Sequence, residues 1–126
     1  MNDSAAPLAL SLPRARRLTR PAEFLRVRNE GAAQRGALLM LGVLRQEVSG
    51  TSGFRVGFVT SKRVGGAVVR NRTRRRLREI VRRHQHSLHP DVWLVVIARP
   101  AAAGAASHLL EKEWLRLAGR AGILRS

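Results

Sequence analysis

Guanidinium is the functional group this chain holds in excess. Ten of its 24 Lys and Arg residues lie between Lys62 and Arg83, in the stretch SKRVGGAVVRNRTRRRLREIVRRH at 61–84, beside a single acid, Glu79. Such a cluster supports phosphate recognition, because a planar guanidinium can donate two parallel hydrogen bonds to one phosphate and can stack on a base. Gly65-Gly66 leads straight into a predicted helix start at about Ala67. Free N–H groups at that positive dipole end would seat a phosphate, unless the glycines serve only the turn. Asn71, a poor helix former inside the basic run, either bonds RNA, orients neighbouring arginines or is simply exposed.

Bond-breaking chemistry is not legible in the side chains. A metal-dependent nuclease needs clustered carboxylates, and a metal-free one needs a positioned acid and base. The eight acids are scattered singly, and Glu111 and Glu113 would diverge on a helix. The chain has no Tyr and no Cys, so thiolate chemistry, disulfides and cysteine-held zinc are excluded. His84, His86 and His89 have only Asp91 nearby and read as exposed loop histidines. No catalytic residue and no metal ligand is expected; the side chains read as those of a binder.

A helix from about Ala67 must position the arginines. Val69, Thr73, Leu77, Ile80 and Val81 recur at three- and four-residue spacing and predict one apolar stripe. Arg70, Arg74, Arg78, Asn71, Arg75 and Arg82 take a neighbouring and opposite face, and Arg72, Arg76 and Arg83 a third. Like charges at i,i+4 destabilise a helix by roughly 0.2–0.5 kcal/mol per pair. Arg70/Arg74, Arg74/Arg78, Arg72/Arg76 and Arg78/Arg82 all do so, and Glu79 relieves only part of it. A merely solvated face would mix Glu with its cations, so a polyanionic partner is implied.

The remaining elements follow in order. Residues 1–12 read as a disordered tail without the basic start of a secretory signal. Thr19 and Pro21 open a helix to about Asn29, ended by Gly31, with Val27 inward and Phe24 either core or a stacking surface. A first strand spans about 35–45, and EVSGTSG at 47–53 reads as a hairpin connection. FRVGFVTS alternates as a second, antiparallel strand, with a further short strand possible near 62–64. VWLVVIA at 92–98, apolar on both faces, predicts a central strand. Arg99-Pro100 stops it, and a last helix from Ser107 to about Ala118 turns Ala106, Leu110, Trp114 and Leu117 inward before Gly119 or Gly122. The fold class is α+β: a compact two-layer sandwich in the order αββ(β)αβα, with helices packed on a small mixed sheet.

At 126 residues the chain fits one domain, expected at 13–122 between the tail and residues 123–126. Its net charge of +16 predicts a nucleic-acid partner and salt-sensitive binding. An anionic membrane fits less well, because the basic helix has a narrow apolar stripe without large aromatics. No apolar run approaches the ~18 residues of a membrane span, and the expected compartment is the cytoplasm.

Residues Ser61 to Glu79, SKRVGGAVVRNRTRRRLRE, closely resemble the signature of the bacterial ribonuclease P protein subunit, SKK-x-G-x-AV-x-RN-x-x-KR-x-x-RE. Ser61, Lys62, Gly65, Ala67, Val68, Arg70, Asn71, Arg75, Arg78 and Glu79 fall at family positions, and Arg63 and Arg74 replace lysines. Leu12-Pro13, Arg17-Leu18, Phe24, FRVGFVTS, DVWLVVIARP and LLEKEWLRL extend the likeness over about 12–122. The resemblance implies a partner RNA that removes the 5′ leader of precursor tRNA by Mg²⁺-assisted hydrolysis, with the Mg²⁺ held mainly by RNA and none by the protein alone. It implies catalytic-RNA contacts from Lys62, Arg63, Arg70, Asn71, Arg72, Arg74, Arg75 and Arg78. It also implies a cleft between the first helix and the sheet for the single-stranded leader, formed by Phe24, Arg28 and Met40, and a left-handed βαβ crossover around the arginine-rich helix. Arg28 and Met40 stand where family members often carry aromatics. The partners would be ribonuclease P RNA and the precursor tRNA leader, with no membrane and no small-molecule substrate. Two other readings compete: a ribosomal-protein-like RNA binder without a role in tRNA processing, and a helix-turn-helix DNA regulator, disfavoured by the strand preceding the basic helix.

Overall fold

Residues 12–46 and 53–125 are described in a computed structural model of the chain. Three helices and four strands form in the order αβββαβα: α1 (Pro21–Glu30), β1 (Ala32–Arg35), β2 (Leu39–Arg45), β3 (Arg55–Thr60), α2 (Ala67–His84), β4 (Val92–Ala98) and α3 (Ser107–Ala121). Short 3₁₀ turns occupy Arg14–Arg16, Lys62–Val64, Gln85–Ser87 and Pro100–Gly104. The α+β class and the order of the main elements match the expectation. The extra strand does not lie near 62–64, which is a 3₁₀ turn capped by Ser61, whose Oγ accepts from the Arg63 N–H. It lies instead at β1, four residues of AAQR with little burial.

The sheet order is β1-β2-β4-β3. β4 lies between β2 and β3, antiparallel to the former and parallel to the latter. The strands flanking 47–53 are therefore not a hairpin, although they do run in opposite directions; residues 47–52 fall outside the described set. β3, α2 and β4 make a βαβ crossover between adjacent parallel strands.

β4 is covered on both faces, as its unbroken apolar run predicts. Val92, Leu94, Val96 and Ala98 join the large core, which holds Leu77, Ile80 and Val81 of α2 and Leu110, Trp114 and Leu117 of α3. Val95 faces the other way, into a smaller cluster with Leu18 and Val27. The main layers are thus the sheet and the α2–α3 pair, while α1 crosses the opposite face. Ala106, expected inward, is exposed at the N-cap of α3. Trp114 is fully buried, and burying such a side chain contributes on the order of 3 kcal/mol.

The packed region extends slightly past 13–122. Leu12 joins the core, Ile123 is fully buried, and Leu124 bridges to Leu88. The expected tail at 1–12 otherwise lies outside the described residues. No helix among the described residues is long and apolar enough to cross a membrane.

Candidate nucleic-acid interface

α2 forms where its periodicity predicts, and its stripe is the one that packs. Thr73, Leu77, Ile80 and Val81 are buried, with Val69 against the same core. The polar member is satisfied, because the Thr73 hydroxyl donates to the Val69 carbonyl at 2.8 Å. Gly65, at φ 150° and ψ −168°, makes a turn that other residues rarely adopt, and a Cβ there would press on Val69. Gly66 then caps the helix without a side-chain acceptor, leaving the N–H groups of the first turn free of side-chain capping.

Two kinds of arginine share this helix. Arg76 donates to Ser107 Oγ at 3.1 Å and to the Ala105 carbonyl, and Arg83 pairs with Glu111 at 3.4 Å. Glu111 also meets His84 Nε2 at 2.6 Å, so these groups tie α2 to α3. Arg82 pairs with Glu79, whose carboxyl is held below its usual range by that hydrogen bond, against the opposing effect of burial.

Lys62, Arg63, Arg70, Arg72, Arg74, Arg75 and Arg78 have no carboxylate partner among the described residues. Asn71, Arg74, Arg75 and Arg78 line one shallow polar depression of about 150 Å³. Asn71 orients a neighbour: its Oδ1 accepts from Arg74 Nη1 at 2.9 Å, while Arg74 Nη2 donates to Thr60 Oγ1 at 2.7 Å. Arg78 lies 5.9 Å over the Phe58 ring. Burial, and then the nearby cations Arg17, Arg74 and Arg75, lower its pKa from the usual guanidinium value, a repulsion that a bound anion would relieve. Arg70 adds a shielded Nε that meets no protein acceptor among the described residues. Lys62 and Arg63 stand apart on the preceding turn, and Arg72 lies outside the depression.

A second concavity lies on the opposite face of the sheet. A groove of about 740 Å³ runs between α1 and the strands, and Phe24, Arg28 and Met40 all line it. Ile97 pairs in register with both Met40 and Val59, and these three make an apolar floor. Arg28 and Arg35 bring charge to it. The close approach of α1 depends on Gly57, because a Cβ there would occupy the position of the Phe24 ring. Phe24 packs on the smaller core and also lines the groove.

α1 is also fixed at its start. Glu23 Oε1 accepts from the N–H groups of Thr19 and Arg20, each at 3.0 Å, and Oε2 meets Arg55 Nη1 at 2.6 Å. Burial raises its pKa, but these hydrogen bonds and the Arg55 charge outweigh it and bring the carboxyl below its usual range.

No group of three His, Cys, Asp or Glu among the described residues could hold a metal ion. The described acids are engaged elsewhere, with cations or with backbone N–H groups. They are too far dispersed to form a carboxylate cluster among the described residues. Glu113 escaped sequence reasoning. It is buried, and its Oε2 accepts from the N–H groups of Leu38 and Leu39 at 2.6 and 2.7 Å, which fixes the start of β2.

Comparison with known proteins agrees with this geometry. The family model described as ribonuclease P matches residues 12–122. The ribonuclease P protein component of Roseiflexus castenholzii is 42% identical over 117 residues, which cover 90% of this chain and 92% of that one. The RNase P protein of Staphylococcus aureus superposes with a TM-score of 0.78 at 23% identity, covering 89% of this chain and all of that one. The RNase P protein of Thermotoga maritima gives 0.72 at 25% identity, over 82% and 96%. With the signature carried on α2 and the match running almost end to end, the chain belongs to the ribonuclease P protein family, whose members are the protein component of the endoribonuclease that processes the 5′ end of tRNA.

Proposed function

We propose that this chain is the RNA-docking subunit of ribonuclease P and works through two surfaces on opposite faces of one sheet. The arginine face of α2 seats the catalytic RNA, through Arg70, Asn71, Arg72, Arg74, Arg75 and Arg78, with Lys62 and Arg63 on the preceding turn. The groove beneath α1 holds the single-stranded 5′ leader of precursor tRNA. Phe24 offers one stacking surface there, and Met40 an apolar floor. Arg28 supplies a cation that can stack or take a phosphate.

Phosphodiester hydrolysis belongs to the RNA, which also holds the Mg²⁺. The protein contributes affinity for the leader and screens the charge that assembling two RNAs brings together. One RNA-binding domain at 13–122 suffices for both contacts, and the compartment is the cytoplasm.

One observation carries this reading: eight cations on and before α2 have no acidic partner among the described residues, and only Arg76 of these reaches across to the α3 side, while Glu79 and Glu111 beside that helix are committed to Arg82, Arg83 and His84. Reconstitution tests it. Precursor tRNA is incubated with the cognate ribonuclease P RNA at limiting Mg²⁺, with and without the chain. The chain should raise the cleavage rate at the mature 5′ end. No stimulation over RNA alone would refute the function.

A further inference from the structure

The segment before α1 lies along the free edge of β3. Leu18 donates its N–H to the Val56 carbonyl at 2.8 Å, and Arg17 bridges Val56 in parallel, so residues 17–18 extend the sheet beyond its last strand. Side chains alternate across such an extension. Leu18 enters the small cluster on the α1 face. Arg17 therefore faces the α2 side, where its Nε donates at 3.0 Å to the carbonyl of Leu12, a member of the large core.

This places arginines beside alternate residues from Phe54 to Thr60. Arg16 lies 5.5 Å over the Phe54 ring, and Arg17 is bridged at Val56. Arg78 lies over Phe58, and Arg74 bonds Thr60. Two of the four come from the N-terminal segment and two from α2. Alternate residues of a strand repeat every ~6.6–6.8 Å, so the four contacts are spread along its length. Arg16, Arg17, Arg74 and Arg78 have no carboxylate partner among the described residues. The crowding is felt within the row, since Arg17 and Arg74 are among the charges that lower the Arg78 pKa, after burial.

We infer that Arg16 and Arg17 are RNA-binding residues that continue the α2 surface along the β3 edge, forming one basic track for RNA phosphates. The inference rests on the reading of α2 as the catalytic-RNA face and adds a contact from a different part of the chain.

The test measures the affinity of the full-length chain for cognate ribonuclease P RNA across a salt series, for wild type, Arg17→Gln, Arg17→Lys and Arg74→Ala, with a melting temperature for each. Losing one phosphate contact lowers the log–log salt slope by about 0.7–0.9. Between 50 and 200 mM salt the wild type should therefore lose about threefold more affinity than Arg17→Gln. Arg17→Lys should keep the wild-type slope, and both Arg17 variants should melt close to wild type. A wild-type slope for Arg17→Gln with a reduced slope for Arg74→Ala would overturn the track and leave the α2 surface standing. Wild-type slopes in both would overturn both. Equal loss in Arg17→Gln and Arg17→Lys, in step with a lower melting temperature, would overturn the track by reducing Arg17 to its tether on Leu12.

Discussion

Leu77→Ala separates the two faces of α2 most cleanly. Leu77 is 1% exposed and sits in the large core with Ile80, Val81, Leu94 and Leu110. The substitution removes three carbons from water-excluded packing, about 2.4 kcal/mol at ~0.8 kcal/mol per methylene. The cavity left behind raises the loss toward the 2.7–5.0 kcal/mol range seen for buried leucines, so about 3–4 kcal/mol is expected. For a domain of this size each kcal/mol shifts the melting temperature by about 3–6 °C, giving a fall of about 10–20 °C. Urea unfolding at neutral pH provides the free energy, and an unchanged m-value would show that the unfolded reference is the same. Arg78→Ala, one residue away, is the control. It should melt within a few degrees of wild type, since Arg78 is largely exposed and its guanidinium lies over the Phe58 ring without a carboxylate partner among the described residues, yet it should bind RNA with a shallower salt dependence. A loss below about 1 kcal/mol for Leu77→Ala would mean that the stripe does not anchor the helix, and the assignment of the arginine face would fall with it.

Three further outcomes follow from the geometry. Phe24→Ala should weaken substrates with long leaders by roughly five- to 150-fold, from ~1–3 kcal/mol per stacked base, and leaderless substrates much less; equal losses in a binding assay would return Phe24 to packing alone. Glu113→Ala leaves the Leu38 and Leu39 N–H groups without their acceptor and should cost about 1–3 kcal/mol in urea unfolding, with Glu113→Gln recovering part of it; a neutral Ala variant would contradict the cap on β2. Glu23 has a folded pKa below its unfolded one, so its stabilisation is present above the ordinary glutamate value of about 4.3 and is lost as pH falls through the lowered folded value. Glu23→Gln should accordingly melt a few degrees below wild type at pH 7 and converge with it at the acid end; a constant gap across pH would place the effect outside that carboxylate.

How far the sequence could be read depended on the range of each interaction. α2 was legible almost residue by residue, because its boundaries come from local periodicity and from Gly65-Gly66. β4 was legible too, because a run that is apolar on both faces fits only a covered strand. Pairing was not. Nothing in FRVGFVTS or ALLMLGVLR records that β4 enters between them, since alternation fixes which face a residue uses and not which strand lies beside it. β1 escaped because AAQR is short, exposed and poor in β-formers, and its pairing with β2 is a tertiary contact that local pattern does not record. Which arginines tie α2 to α3 was equally hidden: Arg76 and Arg74 look alike in sequence, and only the structure shows that Arg76 bonds Ser107 of α3 whereas Arg74 bonds Thr60 of β3. Phe24, Arg28 and Met40 do line one groove, a grouping that the family resemblance implied and periodicity did not.

The most direct test is the salt dependence of RNA binding by a chain in which Arg70, Arg74, Arg75 and Arg78 are all replaced by Gln. With four phosphate contacts removed, the log–log slope for cognate ribonuclease P RNA should fall by about 3, while the protein stays folded. A slope within about one unit of wild type would show that RNA does not lie against this face.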